Sequence, residues 1–199
     1  MLISMLGQAL VESRCSSPFI QILMADEKCA DIIQQKQDPS AANLCCEGVL
    51  SLGGKRLQGK ELTRWEQLEG GYEVFCHCLY RPTREKYFQK AEQWLQNERI
   101  KVYAAVEENS LLGMIVLCIQ GQQAEIVGIS VCPQERHRGI GSWLIEQTMQ
   151  RYGIKALVAQ TDEEAVGFYR KVGFTTKEER VQYGAQSVLR YRCLLVDEP

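Results

Sequence analysis

Two arginines, a histidine and two glycines stand together at Arg136-His137-Arg138-Gly139-Ile140-Gly141. The chemistry that such a set suits is the holding of a phosphate. Glycine lets the backbone come close to a ligand. A helix starting here leaves N–H groups unpaired and carries partial positive charge at its first turn, which Arg136 and Arg138 reinforce. A tight strand-to-helix turn with no ligand would look the same, so the elements around the segment have to decide. Other chemistry-bearing patterns are weaker. Gly54 to Glu61 nearly spells a nucleotide-binding loop, but Glu61 replaces the hydroxyl residue that would hold magnesium. Cys76-His77-Cys78 and Cys45-Cys46 invite a metal, yet in a strand Cys76 and Cys78 point one way and His77 the other. Buried reduced thiols are the expectation there, with no metal.

The elements that would position the loop are readable from Lys101 onward. Val102–Val106 and Leu111–Cys118 are apolar runs separated by Glu107-Glu108-Asn109-Ser110, which predicts an antiparallel hairpin. Ala124–Val131 is a third strand, stopped by Pro133. From Gly139 to Tyr152 apolar residues recur at helical spacing, ending at Gly153. Ala156–Ala159 reads as a strand. Thr161 and Glu164 have capping-box spacing before a stripe of Ala165, Phe168, Tyr169 and Val172 that ends at Gly173. Phe174–Thr176, Arg180–Tyr183 and Val188–Leu195 read as closing strands. That order predicts a mixed α/β domain.

Residues 1–54 read as a helical N-terminal segment, with helices from Ser17-Pro18 to about Gln35 and from Ala41 to Leu50, and a linker at Gly53-Gly54. The domain proper is then 55–199, in which Tyr72–Tyr80 alternates like a strand and Thr83–Gln96 reads as a helix. The 199 residues allow a sizeable core, and 45% hydrophobic with 24% charged residues exclude collagen-like and disordered classes. A net charge of -2 without a basic stripe argues against a nucleic-acid or membrane-surface binder. No apolar run reaches the roughly 18 residues of a membrane span, and Met1–Leu10 lacks the basic start of a signal peptide. Nine scattered cysteines fit a reducing compartment. A cytoplasmic chain is expected.

The segment from Ala124 to Gly141 resembles the pyrophosphate-binding motif of the GNAT superfamily of N-acetyltransferases: Gln or Arg, two residues, Gly, one residue, Gly or Ala. Arg136, Gly139 and Gly141 satisfy it. Ala165, Phe168, Tyr169, Lys171, Gly173 and Phe174 are similar to the family's next helix and strand. The resemblance covers about Lys101–Leu195. It implies a mixed, mostly antiparallel sheet flanked by helices, with acetyl-CoA as co-substrate and a primary amine as acceptor. It further implies that the backbone of Ile129, Ser130 and Val131 pairs with the pantetheine arm where two parallel strands splay. Amides of Arg136, His137, Arg138, Gly139, Ile140, Gly141 and Ser142 would then hold the pyrophosphate. A backbone N–H near Ile129–Val131 would meet the oxyanion, and Cys132 would lie near the CoA thiol.

A lysine-like amine, with a pKa near 10.4, is only about 1 part in 2,500 neutral at pH 7, so the reaction needs a base. Glu125 lies fourteen positions before Gly139, where the histone-acetylating branch of the family has its glutamate base. Tyr169 matches the family tyrosine that protonates the leaving thiolate. Asp162 stands where the family often has Asn; it can cap the helix but offers no amide donor to the cofactor. The expected activity is direct acetyl transfer in a ternary complex. An acyl-CoA-binding regulatory or interaction module is the alternative, against which the presence of both Glu125 and Tyr169 argues. The acceptor is open between small molecule and protein, and a homodimer is also open.

Overall fold

The computed structural model describes residues 49–52, 55–183 and 186–197. β1 (Val49–Leu52) and β2 (Lys55–Glu61) pair antiparallel, with Leu52 opposite Lys55. Then come α1 (Trp65–Glu69), α2 (Tyr72–Phe75), a 3-10 turn at Cys76–Cys78 and α3 (Arg84–Gln96). The rest is β3 (Ile100–Glu107), β4 (Ser110–Gln120), β5 (Gln123–Val131), α4 (Ile140–Tyr152), β6 (Ala156–Thr161), α5 (Val166–Val172), β7 (Thr175–Tyr183) and β8 (Gln186–Val196). The eight strands form one sheet in the order β1-β2-β3-β4-β5-β6-β8-β7, in which β5 and β6 are the one parallel pair.

The sheet separates two cores. On the first face Ile126, Leu117 and Leu157 meet Ile140, Leu144 and Ile145 of α4 and Tyr169 of α5. On the second, Val102, Met114 and Val116 meet Leu68, Phe75, Tyr87 and Trp94 of α1–α3. The unbroken burial along the middle of β3 and β4 follows from having a core on each side. Between them Glu108 and Asn109 both take positive φ, 48° and 76°, which closes the expected two-residue hairpin. Thr83 caps α3 by accepting the Lys86 N–H at 3.2 Å, and α4 ends at Gly153 in the left-handed region.

Several expectations are corrected. The stretch read as the strand Tyr72–Tyr80 is helical from Tyr72 to Cys78, because Val74 and Phe75, which strand alternation would have put on opposite faces, are buried in one core with Tyr87 and Trp94. The argument that set Cys76 and Cys78 against His77 therefore falls with the strand, although no metal-holding group is found among the described residues. Val49–Leu52, read as the end of a helix and part of a helical segment, is a strand paired with β2. The earlier part of that segment and the glycine pair Gly53-Gly54 lie outside the described residues. Thr161 and Glu164 do not form the capping box. Asp162 accepts the Ala165 N–H at 3.0 Å instead, and the helix begins at Val166. The closing strands number two, since Thr175–Tyr183 runs without a break. Among the described residues no helix is long and apolar enough to cross a membrane.

Candidate active site

Pairing between β5 and β6 runs Gln123–Ala156, Ala124–Leu157, Glu125–Val158, Ile126–Ala159 and then stops, while both strands continue. The cause lies one residue further. On the other edge of β5, Leu117 of β4 faces Ile126 and Val116 faces Gly128, so Val127 is an extra residue with no partner. A bulge of this kind bends and twists its strand, and here it turns β5 away from β6. Val127 is 46% exposed. From Gly128 to Val131 β5 thus keeps its pairing to β4 but offers its other edge to the gap, a row of backbone groups suited to an extended ligand.

The bulge also decides which side chains share a face. Glu125, opposite Cys118, and Gly128, opposite Val116, both lie on the second face, and Ser130 follows them there, donating its hydroxyl to the Val74 carbonyl at 2.7 Å. Gly128 is a contact point. A Cβ at this position would sit 2.6 Å from Cζ of Phe75 and 3.4 Å from Sγ of Cys78. The 3-10 turn therefore rests on β5 where the gap opens.

At the upper end of the gap, Cys132 leads through a short turn to Gly139, whose φ of 82° is left-handed. Such a conformation is open to glycine at little cost, and a Cβ there would meet no atom within 4 Å, so the space above the helix start is clear. No side chain caps α4, and its first turn holds no acid. The N–H groups and the dipole together make an anion seat. Ser142 in that turn and His137 before it are exposed. Gly141 is buried because the Phe168 ring would lie 3.0 Å from its Cβ, and Ile140 is buried in the first core, so these two contribute backbone only. Arg136 is exposed and donates from Nε to the Val131 carbonyl at 3.3 Å, which ties the loop to β5. Arg138 is paired with Glu135, three residues before it.

Tyr169 is 6% exposed, stacked edge-on against Phe168 and Phe174. Burial is the main reason that its phenol is held well above the ordinary tyrosine range, with Cys193, Cys78 and Asp162 pushing the same way. The residues read from the sequence are in this way brought to one place: Glu125 below the bulge, Ile129 and Val131 half-buried on the first face beyond it, and the Arg136–Ser142 loop above. Cys132 at the end of β5 donates its thiol to the Leu111 carbonyl at 3.4 Å, and burial raises its pKa, a setting for an inert thiol. Sequence reasoning missed Val127, Gly128, Phe75 and Cys78. The signal was present: apolar alternation fails at Ile126-Val127, and a glycine follows in an otherwise β-branched strand.

A clear space over a helix start, unpaired amides and an open strand edge leading from them fit a ligand that carries phosphates at one end of an extended, amide-bearing arm. A profile described as the acetyltransferase (GNAT) family matches residues 66–174, more than half of the chain. The fold is similar to that of a ribosomal-protein alanine N-acetyltransferase from Escherichia coli, with 18% identity, TM-score 0.57, and 70% of this chain and 93% of that one covered. It is also similar to a GNAT family acetyltransferase from Elizabethkingia anophelis with acetyl-CoA bound, at 19% identity and TM-score 0.52, covering 70% and 97%. An N-acetyltransferase from Staphylococcus aureus Mu50 gives 18% identity and TM-score 0.55 over 70% and 98%. No curated protein sequence matches the chain.

Proposed function

Since the chain belongs to the acetyltransferase (GNAT) family, we propose that it moves an acetyl group from acetyl-CoA to a primary amine by direct attack in a ternary complex. The observation that carries this reading is the open edge of β5 beyond Ile126, leading to the uncapped start of α4. Amides of Gly139, Ile140, Gly141 and Ser142 would hold the pyrophosphate, with Arg136 and His137 beside them and Arg138 held back by Glu135. Backbone groups of Ile129, Ser130 and Val131 would pair with the pantetheine arm.

The amine arrives protonated and has to lose its proton before it can attack. Glu125, on the face that α2 and the 3-10 turn cover only as far as β5, accepts that proton directly or through one water. A backbone N–H at the bulge stabilises the oxyanion as the tetrahedral intermediate forms. Collapse breaks the C–S bond, and Tyr169 donates its proton to the departing sulfur. Its raised pKa keeps the phenol protonated at neutral pH, the state an acid requires.

Initial rates of thiol release from acetyl-CoA with an amine panel test the reading, beside calorimetric titration with acetyl-CoA, CoA and ATP. Binding of the two CoA species without ATP, with amine-dependent thiol release, is expected. Tyr169→Phe should lower kcat about tenfold to a hundredfold while leaving acetyl-CoA affinity within about twofold. Absence of CoA binding in the folded protein overturns the reading.

A further inference from the structure

Resting on the transferase reading above, we propose that the acceptor amine carries a carboxylate several bonds away, received by a cationic group that Lys177, Arg192 and Arg190 form on the sheet face of Glu125. The register fixes that shared face. Glu125 lies opposite Val158 of β6, Val158 opposite Leu194 of β8, and Leu194 opposite Thr175 of β7. Steps of two along each strand place Gln160, Arg192, Arg190, Lys177 and Glu179 on the same side. Tyr191 and Cys193 alternate with them into the first core.

This part of the second face is open. α5 packs against β7 and β8 from the first face, and α2 and α3 pack against β3, β4 and β5. Thr175, Lys177 and Val188 are exposed. The floor thus runs without a covering helix, among the described residues, from the gap beside Glu125 across β6 to the edge of the sheet.

Its cations are not all paired among the described residues. Lys177 stands directly opposite Arg192, and like charges so placed destabilise a strand pair. Among the described residues neither has a carboxylate within 4.0 Å. The nearby acids stand by Arg190 and serve other partners as well. Glu179 accepts the Gln160 amide at 3.1 Å, and Asp162 caps the turn before α5 while standing 4.0 Å from Nη1 of Arg190. Nε of Arg190 is buried without a hydrogen-bond partner. An anion seated here would separate Lys177 from Arg192 and give the guanidinium forks the acceptor they lack.

Spacing sets the length of the acceptor. Arg192 lies two strands across and two residues along from Glu125, about 12 Å between Cα atoms at about 4.8 Å per strand and 3.3 Å per residue. Strand side chains stand roughly perpendicular to the sheet, which keeps the two ends about that far apart, so a chain of several bonds between amine and carboxylate fits, and an α-amino acid is too short.

The test compares acetylation of 5-aminopentanoate, pentylamine and 1,5-diaminopentane, which share a chain length and differ at the far end. The full chain should prefer the aminopentanoate over both others by at least about tenfold in kcat/KM, the worth of one charge-assisted contact. Arg192→Gln should collapse that preference through KM, and Lys177→Gln should weaken it. Calorimetric titration of each variant with CoA reports that the fold is intact. In the CoA complex 5-aminopentanoate should bind the wild type and lose affinity in Arg192→Gln, a readout that needs no turnover. Equal or better use of the diamine, or a preference that survives both substitutions, overturns the carboxylate proposal while leaving the transferase reading standing. Loss of CoA binding and of transfer to every amine overturns both.

Discussion

One substitution at the start of α4 separates stability from binding by moving them in opposite directions. Ser142 is exposed in the first turn of a helix with no side-chain cap and no acid there. In Ser142→Glu the new carboxylate meets the positive end of the dipole and stabilises the helix by about 0.3–1 kcal/mol, a rise in Tm of about 1–4 °C for a chain of this size. The same carboxylate stands where a pyrophosphate would be held. Two unit charges 4–6 Å apart repel by about 0.7–4 kcal/mol as the effective dielectric falls from 80 to 20. An exposed position belongs toward the weaker end, about 1–2 kcal/mol, so acetyl-CoA should bind about five- to thirtyfold more weakly. Scanning calorimetry and titration calorimetry in low salt measure the two effects, and added salt should shrink the binding loss. Unchanged acetyl-CoA affinity in the stabilised variant would refute the assignment of the phosphate seat. Loss of stability would refute the placing of Ser142 at a free helix start.

The contact between Gly128 and Phe75 gives a second outcome. Gly128→Ala should cost about 1–3 kcal/mol in urea denaturation, because the Phe75 ring is wedged between Trp94 and Tyr87 and cannot retreat, and Phe75→Leu in the same chain should restore much of it. A third concerns pH. Burial raises the phenols of Tyr87 and Tyr169, and Tyr87 donates to the Leu68 carbonyl at 2.7 Å. The folded chain therefore keeps these protons where the unfolded chain, titrating near pH 10, releases them. Stability should be independent of both groups below about pH 9 and fall as pH rises past 10; a Tm that stays flat to pH 11.5 would contradict the burial of these hydroxyls.

The course of the loop from β5 to α4 was legible in the sequence because its constraint is local: glycine at fixed spacing after a strand and before a helical stripe says what the backbone does whatever packs on it. The β3–β4 hairpin and α4 were legible for the same reason, with turn residues at one end and period at the other. Tyr72–Cys78 was not. Its residues alternate in polarity, and what makes it helical is non-local, the aromatic cluster of Tyr87 and Trp94 that receives Phe75 and Val74 on one side. The turn before α5 offered two capping side chains, Thr161 and Asp162, and only the end of β6 decides between them. The face that carries Lys177 and Arg192 lay out of reach because no local pattern says that β8 inserts between β6 and β7, and without that order the two are not neighbours.

The bulge at Val127 ties these levels together. Without it, strict alternation from Glu125 would put Val127 and Ile129 on the second face and Gly128 and Ser130 against α4. Phe75 would then lose its flat seat and the Val74 carbonyl its hydroxyl partner. With it, Glu125, Gly128 and Ser130 share one face while Ile126, Ile129 and Val131 fill the first core. The same extra residue bends β5 off β6 after Ile126. One insertion thus opens the gap, keeps the carboxylate on the side from which an acceptor can approach, and leaves the strand edge beyond it unpaired. It also explains why polar residues are tolerated so near two cores: the carboxylate and the backbone groups of that edge lie on the side that, among the described residues, no helix covers beyond β5. The site is for that reason a property of register, and any change that slips β5 by one residue against β4 removes the edge, the placing of Glu125 and the seat for Phe75 together.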